Sequence, residues 1–515
     1  MEGSQTKDQP GANNSGNSNP DYLRLEAHFQ KINDLQHIAA ITGWDEASMM
    51  PAGGGDARAQ AMSTLNVMIH QLMTDSDVGE WIDGARAGTE LDEWQTANLR
   101  EIDRAWREAT CMPEDLVAAN SRARSKCEQA WRLHRANNDW QAMEPLLTEV
   151  VSLARQEAQC RSESTGLAPY DAMLNLYEPG VTSEQIDAVF SDLKTFLPGF
   201  ADKVVNKQSR DEVLPISGDF SDVKQKELGM ALMSSLGFDF EHGRLDVSHH
   251  PFCGGVPDDV RITTRYATSS FISSMMAVVH ETGHAMYEQG LPQGWRNQPV
   301  GKALSMGTHE SQSLLMEMQA CRTEEFMQYV TPLVQRTFLG SVSNDPAWGV
   351  DNLHKLYTRV EKSFIRVDAD EVTYPLHVIL RYEIEKQLIS GEFEVADLPV
   401  AWNEKMNSFL DLSTEGNFAD GCLQDVHWPA GLFGYFPTYT LGALTAAQLF
   451  ATVQREIPEL LESIRQGDFT PLLGWLRTNV HSQGKFLSFD ELMIAATGET
   501  LNAGYFKSHL EARYG

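Results

Sequence analysis

One pentapeptide, His280-Glu281-Thr282-Gly283-His284, constrains this chain more than any other segment. It lies within residues 271–289, an apolar stretch that reads as one buried helix. Residues four apart share a helix face, so both imidazoles can bind one metal ion from the same side. Glu281 follows the first histidine, where its carboxylate can reach a water beside that metal and act as general base. The alternative is a pair of core histidines with hydrogen-bond partners.

A catalytic zinc site needs a third protein ligand and an open fourth position. Glu310 is the leading candidate, in the segment His309-Glu310-Ser311-Gln312-Ser313 at the start of a second helical stretch, residues 311–325. His309 and Glu317 are alternative ligands. Glu310 could also be a helix N-terminal carboxylate, which the helix dipole favours.

Composition excludes several classes of partner. A net charge of −31 argues against nucleic acid and against anionic membrane surfaces, since both are polyanions. The sequence contains neither an apolar signal-peptide region nor a run of 18 apolar residues, so we expect no membrane segment. The six scattered cysteines read as reduced thiols, and we therefore expect a cytoplasmic protein.

Helical hydrophobic spacing dominates the chain, which predicts a mainly α fold. It fills residues 21–42, 93–109, 113–136, 139–165, 350–367 and 374–390, and a capping signature begins another helix at Thr182. Only residues 246–266 read as extended, which predicts a small sheet near the site. The polar residues 1–20 are expected to be a disordered tail, and no linker interrupts residues 21–515, which we expect to form a single domain.

Five further motifs follow one another along the chain. They are His250-Pro251-Phe252, Asp259-Val260-Arg261-Ile262-Thr263, His309-Glu310-Ser311-Gln312, Ile365-Arg366-Val367-Asp368-Ala369-Asp370 and Gly421-Cys422-Leu423-Gln424-Asp425-Val426-His427-Trp428. Together with the metal motif, they make residues 21–515 resemble the family M32 metallocarboxypeptidases, the thermostable carboxypeptidase Taq type.

This resemblance carries expectations of its own. It implies a neurolysin-like helical body with a deep active-site groove, usually a homodimer. It implies one zinc ion, with cobalt tolerated, held by His280, His284 and Glu310. The substrates would be peptides with a free C-terminus, which lose single C-terminal residues with broad specificity and with proline disfavoured. The alternative is a helical zinc endopeptidase or oligopeptidase that uses the same chemistry.

A carboxypeptidase must bind the terminal carboxylate of its substrate, and a guanidinium does so bidentately. Arg366 is the first candidate, because its family motif places it in the groove, and Arg261 is the second. Either arginine could instead form a structural ion pair, Arg261 with Asp259, or Arg366 with Asp368 or Asp370.

His427 and Tyr435 are the candidates for polarising the scissile carbonyl and its developing oxyanion. Tyr439 could take the role of Tyr435. Gln424 and Asp425 are suited to orienting a ligand imidazole or His427.

His250 is the last candidate for substrate binding. It could line the end of the groove near the pocket for the terminal residue. As a turn histidine, it could equally cap backbone groups.

Overall fold

The computed structural model describes residues 19–515. The tail predicted for residues 1–20 lies outside this range except for Asn19 and Pro20, where the first helix begins. Asn19 caps that helix by accepting a hydrogen bond from the Tyr22 backbone N–H at 3.1 Å, and its side chain donates to the Ala85 carbonyl at 2.8 Å.

Helices dominate the described chain and one small sheet interrupts them, so the prediction of a mainly α fold is confirmed. The helices are α1 Pro20–Ser48, α2 Gly55–Met73, α3 Ser76–Ala87, α4 Glu93–Thr110, α5 Glu114–Ala136, α6 Trp140–Thr165, α7 Pro169–Leu174, α8 Ser183–Gln208, α9 Asp222–Leu236, α10 Ile272–Gly290, α11 Met306–Leu314, α12 Glu324–Leu339, α13 Val350–Tyr357, α14 Tyr374–Ser390, α15 Leu398–Leu410, α16 Pro437–Glu456, α17 Leu460–Arg465, α18 Thr470–Asn479, α19 Phe489–Thr497 and α20 Ala503–Tyr514. The strands are β1 Gly243–Val247, β2 Phe252–Val256 and β3 Asp259–Thr264. No helix in residues 19–515 is both long and apolar enough to cross a membrane.

The chain divides into two compact units, which we call unit 1 and unit 2. Unit 1 comprises the chain up to Thr110 together with Ser221–Leu304 and Phe469–Ala496. Unit 2 comprises Cys111–Phe220, Ser305–Asp468 and Thr497–Gly515. A single domain over residues 21–515 stays a prediction.

In unit 1, the sheet supports the helix that carries the metal motif. Its strand order is β1-β3-β2, with β3 parallel to β1 and antiparallel to β2. Val260 and Ile262 of β3 form a buried core with Val278 and Ala285 of α10. The extended region predicted at residues 246–266 is therefore confirmed, and the sheet fixes α10 through apolar packing.

In unit 2, α14 spans the predicted residues, but α13 ends at Tyr357, ten residues before the predicted end. The hydroxyl of Thr358 donates to the His354 carbonyl at 2.7 Å and closes the last turn. Beyond it, the Val360 backbone N–H donates to the side chain of Gln208 at 2.9 Å. Long-range hydrogen bonds thus replace helical ones in the segment that leads to Arg366.

Candidate active site

His280 and His284 lie on the same side of α10. At 3.6 residues per turn, this side is opposite Val278 and Ala285, which pack on the sheet. The two imidazole centroids are 4.9 Å apart. Glu281, between them in sequence, is only 7% exposed. Packing of α10 on the sheet therefore leaves the face that carries both imidazoles turned away from the sheet.

Glu310 lies in the second turn of α11, so the prediction that it begins a helix is wrong. The helix starts earlier because the Ser305 hydroxyl accepts a hydrogen bond from the Thr308 backbone N–H at 3.0 Å. The buried carboxylate of Glu178 accepts the backbone N–H of Gly307. A Cβ at Gly307 would lie 2.7 Å from that carboxylate, so glycine permits the contact.

Helix α16 packs closely against the Glu310 side chain. A Cβ added at Gly442 would lie 2.9 Å from both Cβ and Cγ of Glu310. The hydroxyl of Ser313 donates to Glu310 Oε2 at 3.3 Å. The glycine and the hydroxyl together restrict where the carboxylate can point.

The structure brings the three predicted metal ligands together. His280, His284 and Glu310 each offer one ligand atom, and these atoms all lie within 4.8 Å of one another. Two imidazoles and one carboxylate form a donor set that suits zinc. The alternative ligand His309 is not part of this group, and Glu317 forms an ion pair with Arg322 at 2.6 Å.

Arg366 is 5% exposed and its charge partner is Asp425, not Asp368 or Asp370. Its Nε and Nη2 donate to Asp425 Oδ1 at 3.1 and 2.8 Å, and its Nη1 donates to the Tyr374 hydroxyl at 2.7 Å. Burial alone would lower the pKa of Arg366, but Tyr374 and Asp425 hold it above its usual value.

A second guanidinium shares the same carboxylate. Arg381 Nε donates to Asp425 Oδ2 at 2.6 Å. Burial opposes ionisation of Asp425, but Arg381 and Arg366 hold its pKa well below the usual range. Two guanidiniums therefore face one carboxylate, which leaves one net positive charge in this cluster.

His427, Tyr435 and Tyr439 form a third group. His427 Nε2 lies 3.1 Å from the Tyr439 hydroxyl, and its Nδ1 lies 3.8 Å from Asp425 Oδ1. Burial lowers the pKa of His427 to about 4, so the imidazole is neutral at pH 7. Burial and the charge of Glu310 raise the pKa of Tyr435 to about 12, so its hydroxyl remains a hydrogen-bond donor.

Gln424 and the two remaining substrate-binding candidates have other surroundings. Gln424 accepts the Arg366 backbone N–H at 2.9 Å. It therefore fixes the backbone at Arg366 and does not orient an imidazole, contrary to the prediction from the sequence. Arg261 pairs with both carboxylate oxygens of Asp259, at 2.8 and 2.7 Å. This is the structural ion pair that the sequence offered as the alternative to substrate binding. His250 is exposed in the turn between β1 and β2.

Comparison with known proteins identifies the family. The family model for the carboxypeptidase Taq (M32) metallopeptidases matches residues 24–514. The chain belongs to the M32 family of metallocarboxypeptidases. Thermostable carboxypeptidase 1 of Thermus thermophilus is 36% identical over 509 residues, 95% of this chain and 98% of the relative. The structure of metallocarboxypeptidase 1 of Trypanosoma cruzi matches with a TM-score of 0.94 and 42% identity, covering 96% of this chain and 100% of that one.

Sequence reasoning missed a row of buried polar residues in this M32 enzyme. His377, Arg381 and Glu385 follow one another at intervals of four along α14, and all three are fully buried. Their spacing places them on one face of the helix, and that face is buried. That spacing is the signal that could have found them.

Gly442→Ala is expected to weaken metal binding of the M32 enzyme by roughly 10–100-fold, as substitutions behind metal ligands commonly do. The new Cβ would displace Glu310 from the two histidines. Titration of the apoprotein with zinc measures the effect. Gly199→Ala is the matched control, because Gly199 is a helical glycine of α8 with open space around it. Equal zinc affinity of both variants and the wild type would contradict the prediction.

Proposed function

We propose that the chain is a zinc-dependent metallocarboxypeptidase that releases single C-terminal amino acids with broad specificity and disfavours proline. The observation that supports this most strongly is the group of His280, His284 and Glu310, whose ligand atoms lie within 4.8 Å of one another. The matched relatives named carboxypeptidases support the reaction direction.

The metal ligands in this proposal are His280, His284 and Glu310, with zinc as the ion and cobalt as a substitute. When bound, the ion would polarise the scissile carbonyl and lower the pKa of a water molecule. Glu281 takes the proton of the attacking water and passes it to the leaving amine. Its burial on a helix that packs against the sheet favours a fixed position for this transfer.

His427 and Tyr435 stabilise the negative charge that develops on the carbonyl oxygen. Tyr435 retains its proton at neutral pH because burial and Glu310 raise its pKa, so it can donate a hydrogen bond. Tyr439 lies 3.1 Å from His427 Nε2 and orients that imidazole. The division of roles between the two tyrosines follows from this contact.

Arg366 is the proposed clamp for the terminal carboxylate of the substrate. Its bonds to Asp425 and Tyr374 use three of the five N–H donors of a guanidinium. The net positive charge of the cluster with Arg381 favours an incoming anion. Arg261 and His250 are proposed to assist substrate binding further from the reacting bond.

The decisive experiment compares a peptide with its C-terminal amide. The free acid is expected to be cleaved about 10–100-fold faster in kcat/KM, since a hydrogen bond to a charged group contributes roughly 1.5–3 kcal/mol. Arg366→Ala should remove most of this preference, whereas Arg261→Ala, the matched control, should keep it. Equal rates on acid and amide in the wild type would instead favour the zinc endopeptidase. A preference that survives Arg366→Ala would move the clamp to another residue.

The active-site groove, the homodimer and the cytoplasmic location stay predictions. The six cysteines are free thiols, in line with a reducing compartment. Sedimentation of the purified chain measures the oligomeric state.

A further inference from the structure

Glu385 is a buried carboxylate that the proposed reaction does not use. It is 0% exposed in the middle of α14, and within residues 19–515 no cation forms an ion pair with it. A buried carboxylate without a cation costs free energy unless hydrogen bonds satisfy it. Hydrogen bonds must therefore satisfy the Glu385 carboxylate.

Three donors from three different segments converge on this carboxylate. Oε1 accepts the Tyr170 hydroxyl at 2.5 Å and the Gly434 backbone N–H at 3.2 Å. Oε2 accepts the indole N–H of Trp428 at 3.2 Å. An ionised carboxylate is an acceptor only, so it accommodates three donors without conflict.

Two of these donors lie at the ends of one loop. Trp428 directly follows His427, and Gly434 directly precedes Tyr435. We propose that Glu385 is a positioning residue, which holds both ends of the segment 428–434 and thereby sets the orientation of His427 and Tyr435. This inference rests on the proposed roles of those two side chains.

The backbone at Gly434 reinforces the same anchor. Gly434 has φ +86°, and a Cβ there would lie 2.7 Å from the backbone nitrogen of Leu174. Leu174 ends α7, the helix that also carries Tyr170. Gly434 thus packs directly against the end of α7. The Tyr170 hydroxyl of α7 and the Gly434 backbone N–H both donate to Glu385.

Folding stability alone does not account for a carboxylate at this position. Burial raises the pKa of Glu385 to about 7, so its ionised form is held at a cost. Replacing buried charged groups with well-packed apolar side chains is often neutral or stabilising. Glutamine is the closest neutral replacement. Its NH₂ group is a donor, however, and it would face at least one of the three N–H or O–H groups that now donate to the carboxylate.

Glu385→Gln is expected to lower kcat by roughly 10–100-fold, the usual effect of losing a contact that orients a reacting group. KM and zinc content should stay within about twofold of wild type, because neither Arg366 nor the metal ligands are bonded to Glu385. Glu383→Gln is the matched control, since Glu383 lies on the same helix and pairs with Lys194 and Lys405. It should keep the wild-type kcat.

A double-mutant cycle separates positioning from general destabilisation. If Glu385 acts through Tyr435, then Glu385→Gln should add little to the loss already caused by Tyr435→Phe. Losses that multiply with those of both Tyr435→Phe and His427→Ala would overturn the proposal. Trp428→Phe removes one loop bond while keeping an aromatic ring. It should lower kcat in the same direction, and it replaces Glu385→Gln if that variant fails to fold.

The cycle also distinguishes this inference from the proposed function. Wild-type kcat in both His427→Ala and Tyr435→Phe would refute the roles of those residues and the positioning by Glu385 with them. Slow turnover in those two variants, combined with wild-type kcat in Glu385→Gln and Trp428→Phe, would overturn the positioning alone. Melting curves of every variant show whether the protein compared is folded.

Discussion

Glu281→Gln is expected to lower kcat by roughly 10²–10⁴-fold, the range over which general base catalysis contributes. The amide has the shape of the carboxylate but cannot accept a proton from water. The side chain is buried on α10, so the substitution should leave the helix and the two neighbouring imidazoles in place. Steady-state kinetics on a blocked dipeptide measure the loss of kcat, and zinc analysis of the same sample shows whether the metal site is intact.

A matched control lies further along the same helix. Glu288 is seven residues after Glu281, which places it on the same face, and Glu288→Gln should keep the wild-type rate. A Glu281→Gln enzyme that retains more than about a tenth of wild-type kcat would show that Glu281 is not the base. Loss of zinc from that variant would instead assign the slow rate to the metal site.

The helices closest to the chemistry were predictable because local sequence determines them. No proline lies in the interior of α10 or α14, and the one interior glycine, Gly283, does not end the apolar periodicity of α10. Both helices end close to the predicted residues. The histidine spacing then required only a regular helix to bring two imidazoles together. Tertiary structure adds nothing essential to that step.

The surroundings of Arg366 were not predictable, because they depend on contacts distant in sequence. Asp368 and Asp370 are its near neighbours in the chain, yet its partner Asp425 is 59 residues away. The start of α11 was missed for a similar reason. Gly307 discourages a helix, but its backbone N–H is bonded to Glu178, 129 residues away.

The choice between Tyr435 and Tyr439 shows the same limit. Both follow a glycine-punctuated segment within four residues of each other, so sequence cannot rank them. The structure gives them different partners, since Tyr439 is hydrogen-bonded to His427 whereas the Tyr435 side chain is hydrogen-bonded to Tyr439. In the proposed mechanism, Tyr439 orients His427 and the Tyr435 hydroxyl is the one assigned to the substrate oxygen.

His284→Ala is expected to lose zinc and nearly all activity while keeping the helical circular dichroism of the wild type. Only two of the three ligand atoms would remain, and a structural core of apolar residues holds α10 independently of the metal. In the wild type, a chelator should lower the melting temperature. An ion at 100 times its Kd contributes about 2.7 kcal/mol to the free energy of unfolding. The chelator should have no effect on His284→Ala.

His309→Ala is the control that tests the ligand set itself. His309 neighbours Glu310 in sequence and is one of the two alternative third ligands, but only Glu310 belongs to the group of close ligand atoms. His309→Ala should therefore keep zinc, whereas Glu310→Ala should lose it, because the geometry admits one carboxylate and two imidazoles. Full zinc occupancy in His284→Ala or Glu310→Ala would contradict the assignment. Loss of zinc from His309→Ala with retention in Glu310→Ala would show that His309, and not Glu310, is the third ligand.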